Sequence, residues 1–218
     1  MASMVTTGFV LKLAADLSVI PSIYIMQRNK RHFELFIGLL HVFVAVCFNC
    51  AQLTTTNELF LTVVQWHAML EVLYVSFLYL LCVHLLALPY ENVNITLRYL
   101  GFALAWIVKV KDGQFRHTHS LLLVAVAFSA VVLRRLVVPG ARMLPLHRTE
   151  AMVAALLAAF CTAVFFLHPS LPIAPTNIES LFYICLGGFF FAGWKSVPPP
   201  ELASKKFDDC DIVFSEYN

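Results

Sequence analysis

Two pairs of ionisable residues stand four apart inside apolar stretches of the chain: Lys12 with Asp16, and His67 with Glu71. On a helix this spacing puts both members on one face, within reach of each other. Lys12 and Asp16 read as an internal ion pair that makes insertion into apolar surroundings feasible, with a transport role as the alternative. His67 and Glu71 read as a hydrogen-bonded pair facing a helical bundle; in a hydrolytic or transport site the same pair would move a proton. Cys47-x-x-Cys50 has the spacing of redox and zinc sites. Two cysteines supply only two ligands, however, and no second CxxC or His-x3-His follows. His41 and His84 stand alone on apolar helices and are expected to be core histidines bonded to backbone or a hydroxyl. No nucleophile elbow, P-loop, dinucleotide fingerprint or HExxH motif occurs. Any chemistry must therefore come from side chains borne on helices.

The elements that would position them are membrane spans. Of 218 residues, 60% are hydrophobic and 13% charged, and the mean hydropathy is +0.80, which excludes a water-soluble domain of this length. A spanning helix needs about 20 mainly apolar residues. The stretches that qualify are Gly8 to Ile25, Phe33 to Leu53, Leu59 to Leu86, Ile95 to Val110, Thr118 to Val138, Ala151 to Leu167 and Ile178 to Trp194, with polar or proline-bearing connections between them. The expectation is an all-α polytopic bundle of seven transmembrane helices over residues 1–196, followed by a polar acidic tail over 197–218. Pro21 should kink or end the first helix and release a backbone carbonyl. Gly187 and Gly188 suit close helix contact.

Lysine and arginine gather on one side of this topology: Arg28, Lys30, Arg31, Arg134, Arg135, Arg142, Arg148, Lys195, Lys205 and Lys206 against Lys109, Lys111 and Arg116. By the positive-inside rule the N-terminus lies outside and the C-terminus inside, which would keep the Asn94 glycosylation pattern unmodified. The net charge of +2 serves topology and brings no nucleic-acid motif with it. The six cysteines are scattered through spans and tail, unlike a disulfide framework. In the tail, Phe207, Phe214 and Tyr217 alternate with acidic residues, a pattern suited to docking a protein partner. The membrane is expected to be of the secretory pathway or the cell surface, with the mitochondrial inner membrane as the alternative.

Leu17-Ser18 with Pro21-Ser22-Ile23, Arg31-His32-Phe33-Glu34, His67 with Leu70-Glu71, and Phe182-Tyr183 with Cys185 come in an order that resembles the myomaker and transmembrane-protein-8 group. That group belongs to the seven-span membrane hydrolases that include alkaline ceramidases and progestin/adiponectin receptors. The resemblance implies a seven-helix fold and, in active members, a zinc site that polarises an amide carbonyl and activates water. Here the matching positions hold Cys47-Phe48-Asn49-Cys50 in the second span, Ala68 beside His67 in the third, and Ser180 and Ile184 in the seventh. The expected ligands are missing, so the fold carries over and catalysis does not.

The sequence thus points to a non-catalytic membrane protein, without metal or other cofactor, that acts as a structural or lipid-binding subunit of a membrane assembly. The alternatives are a metal-dependent lipid amidase or hydrolase that draws on some of Cys47, Cys50, His67, Glu71 and Cys185, and a membrane-remodelling or fusion factor of the myomaker kind.

Overall fold

In lipid a backbone amide finds no water, so an apolar segment must satisfy its hydrogen bonds internally, and the helix does this segment by segment. The computed structural model describes residues 2–53, 58–88, 90–113, 116–137, 148–167 and 175–197. The proposed docking residues Phe207, Phe214 and Tyr217 lie outside the described residues. Helix α1 (Ala2–Asp16) passes through a 3-10 turn (Leu17–Val19) into α2 (Ile20–Arg28). Then come α3 (His32–Leu53), a two-strand hairpin of β1 (Glu58–Leu59) and β2 (Leu61–Thr62), α4 (Val63–Leu86), α5 (Glu91–Asp112), α6 (Thr118–Val137), α7 (Arg148–Leu167) and α8 (Pro175–Ser196). Among the described residues four helices are long and apolar enough to cross a membrane: Phe9–Arg28, His32–Leu53, Val63–Leu86 and Glu91–Asp112. The apolar parts of α6 and α7, Thr118–Arg134 and Thr149–Val164, are shorter.

The hairpin departs from the expected third span, which was to begin at Leu59. Thr62 explains the delay. Its hydroxyl accepts from the Gln65 amide at 3.3 Å while the Gln65 side chain accepts from the Thr62 amide at 2.9 Å, a reciprocal cap that fixes the helix start. Trp66 Nε1 donates to the Leu59 carbonyl at 2.8 Å and ties the hairpin to α4.

The first helix does change at Pro21, as its missing N–H requires. The Ile20 amide bonds to the Leu17 carbonyl, tightening the turn just before the proline. At this break α8 comes close. Ser18 Oγ donates to the Tyr183 carbonyl at 2.9 Å, and a Cβ at Gly187 would lie 2.1 Å from Ser18 Oγ. Only glycine fits there.

Helix α4 is the centre of the bundle: it packs on α3, α5, α6 and α8. Most of its length is apolar, with Leu73, Phe77 and Leu80 fully buried, as a helix with neighbours on several sides requires. The main core joins these to Ile37, Val44, Phe190 and Trp194 of α3 and α8. Helix α6 packs on α4 and α5, and α7 on α8, but α6 and α7 meet only slightly among the described residues.

Candidate functional site

A cavity of about 470 Å3 lies between α1, α4, α6 and α8, with Phe48 of α3 and Val164 of α7 also in its lining. Its polar lining is Lys12, Asp16, His67, Glu71, His117 and Ser120; its apolar lining includes Leu78, Leu121, Val124, Val164 and Leu186. Both residue pairs singled out by spacing therefore face one space, although they belong to helices far apart in sequence.

Glu71 is the hub of the polar end. Its Oε1 lies 3.6 Å from His67 Nδ1 and 3.7 Å from His117 Nδ1, and its Oε2 is ion-paired with Lys109. The His67–Glu71 pair is thus one arm of a four-residue cluster. Lys109 sits in the last turn of α5, where its charge complements the helix dipole. His117 is placed by Asp112, which closes α5 and caps α6. The amides of His119 and Ser120 donate to its two carboxylate oxygens at 2.9 and 2.8 Å, and Ser120 Oγ adds a third bond at 2.9 Å. These amides would otherwise be unpaired at the start of a helix.

Lys12 and Asp16 make their closest described contacts with other residues rather than with each other. Asn49 Nδ2 donates to Asp16 Oδ2 at 2.8 Å, and the Lys12 ammonium lies 5.0 Å from the centre of the Phe48 ring. An aromatic face and a neutral amide thus add to the attraction between the Lys12 and Asp16 charges. Phe48 in turn lies 5.6 Å, centre to centre, from the His67 ring. Deeper in, Tyr74 stacks on Tyr183 at 5.0 Å.

A second cluster gathers around Glu34, where α3, α4, α5 and α8 meet. His84 Nε2 is 2.6 Å from Glu34 Oε1, and Arg98 Nε lies 3.7 Å from the same oxygen. Arg98 also donates to Glu91 at 2.8 Å. Arg31 lies over the Trp194 ring at 5.4 Å. Burial pushes its guanidinium down to about 10 against the pull of Glu34, so it remains a cation at neutral pH. His84 is therefore not the backbone- or hydroxyl-bonded histidine expected of it, since it takes a carboxylate partner fifty residues away. His41 is a core residue, packed at 4.5 Å on Tyr74 and 6.1 Å on Phe77.

The cysteines do not converge. Cys47 and Cys185 are half-buried and Cys50 is exposed, and among the described residues no three or more His, Cys, Asp or Glu side chains form a group able to hold a metal ion. Cys47, Cys50, His67 and Cys185 are thus not brought together as a ligand set. The residues that spacing missed are His117 at the cavity, Lys109, Asp112 and Asn49 behind its polar lining, and Glu34 and Arg98 at the second cluster. The available signal was the pair of cations inside the fourth apolar run, Arg98 and Lys109.

The family described as Protein of unknown function (DUF3522) matches residues 4–171, most of the chain, and the chain belongs to it. No curated protein matches.

Proposed function

We propose that this DUF3522 protein is a non-catalytic, lipid-binding membrane protein, and that the cavity between α1, α4, α6 and α8 is where the lipid sits. The observation that supports this is the cavity's division into a charged end and an apolar wall, beside a seam where α6 and α7 barely pack. A cavity of this size falls within the roughly 300–1,000 Å3 that hold small-molecule ligands. An amphiphile entering sideways at that seam would set its head at the charged end and its chain along the wall. The charged groups are engaged with one another, an arrangement that suits holding a polar head more than attacking it.

In this reading α6, α7 and α8, with 20, 20 and 22 residues, complete seven crossings at about 1.5 Å per residue. The N-terminus lies outside, by the lysine and arginine asymmetry. Membership of the myomaker and transmembrane-protein-8 group, and a place in a larger membrane assembly of the secretory pathway or cell surface, belong to the same proposal.

Native mass spectrometry of protein purified in mild detergent tests it. The expected result is lipid retained near one per chain, and lost when Val124→Trp fills the wall. Equal lipid retention by the filled variant would remove the proposal.

A further inference from the structure

We infer that the cavity's ligand is an amphiphile with a phosphate headgroup, held at the polar end by Lys12, His67 and His117. This inference rests on the lipid-binding reading of the same cavity. It starts from how the charges there are already committed. The Glu71 carboxylate is matched by Lys109 and flanked by both imidazoles. Asp16 sits deeper, 3% exposed, with the Asn49 amide on one oxygen. Both carboxylates line the cavity too, each with a protein group already beside it. The imidazoles are the more exposed: the side chains of His67 and His117 are 44% and 42% exposed against 15% for Glu71, and Lys12 is half-buried on the cavity wall.

Their placement matches a phosphate better than other heads. Lys12 comes from α1, His67 from α4 and His117 from the connection before α6, and all three line the one cavity. Lys12 and His67 both contact the Phe48 ring, at 5.0 Å and 5.6 Å from its centre. A phosphate offers several strong acceptor oxygens around one centre, whereas a carboxylate offers two in a plane and a glycerol head carries no charge. An ammonium would meet Lys12 with like charge. The wall of Leu78, Leu121, Val124, Val164 and Leu186 takes the chain. A free phosphate offers the donors the same chemistry but makes no use of this wall.

The test is binding to the full-length protein in mild detergent of four probes: oleoyl lysophosphatidate, oleoyl lysophosphatidylcholine, monooleoylglycerol and inorganic phosphate. The expected result is tightest binding of lysophosphatidate, on the order of ten-fold over monooleoylglycerol, as one charge-assisted contact allows. Lys12→Met should erase that margin without weakening monooleoylglycerol, and Lys12→Arg should keep it. If Lys12→Met does not fold, His117→Gln, which lies outside any helix, should reduce the margin about three-fold, and an unchanged margin overturns the inference. Equal affinity for the three lipids would overturn the headgroup assignment and leave the lipid reading standing. Binding of none would overturn both. Inorganic phosphate binding as tightly as lysophosphatidate would keep the anion site and overturn the amphiphile.

Discussion

Glu34 and Glu71 are two carboxylates with the same kind of company and opposite surroundings. Each faces imidazole and a cation from α5: His84 and Arg98 for Glu34, His67, His117 and Lys109 for Glu71. The Glu34 side chain is 1% exposed, Glu71 15%. One cluster is backed by Trp194, whose ring lies 5.3 Å from His84; the other lines a cavity. Charge type alone therefore does not make a site. A charged cluster buried between helices fastens them, and one that lines a cavity has something left to bind.

The largest expected effect separates the two. Glu34→Ala takes the carboxylate from His84 while Arg98 keeps Glu91, and removing one partner of a buried pair costs about 3–5 kcal/mol. The melting temperature in mild detergent should fall steeply, and a loss below about 1 kcal/mol would show that the buried cluster is not a fastener. Glu71→Ala should cost less, ~2 kcal/mol, because Lys109 can extend its stem toward the cavity. It also uncovers a cation beside the phosphate donors, so lysophosphatidate should bind more tightly to this variant; weaker binding would contradict the assigned polarity. The smallest effect belongs to Glu91→Gln. Glu91 is 66% exposed where it meets Arg98, and exposed pairs contribute about 0–1 kcal/mol. Unfolding should barely change, and a loss as large as that of Glu34→Ala would mean that the network reaches the surface.

Much of the helical architecture was legible because apolar runs of span length leave little choice of structure: the expected 33–53 became His32–Leu53, and Thr118 opened α6 as drawn. Pro21 also acted locally, through a missing N–H, and local effects can be read from sequence; Gly187 marks a close helix contact whose partner, Ser18, lies far away in the chain. The site was only half legible. His67 and Glu71 declare themselves by spacing, but Lys109 and His117 reach Glu71 from other elements, and nothing in the sequence says which face of α5 turns toward α4. Asp112 caps a helix that starts six residues later, across a turn that no capping motif describes. Glu34 and His84 stand fifty positions apart. Long-range pairing of this kind is decided by packing around α4, which is why His84 was read as a simple core histidine.

The central claim, that the cluster lining the cavity binds lipid and the buried one does not, is tested most directly by photo-crosslinking in membranes. A single-chain lipid carrying a diazirine on its acyl chain and a phosphate head would be activated, and the adducts mapped by peptide mass spectrometry. The account predicts saturable labelling of Leu78, Val124 and Leu186, competed by unlabelled lysophosphatidate. Labelling confined to the outward faces of the helices, at exposed residues such as Phe43, Phe128 and Leu156, and growing in proportion to lipid without saturation, would contradict it.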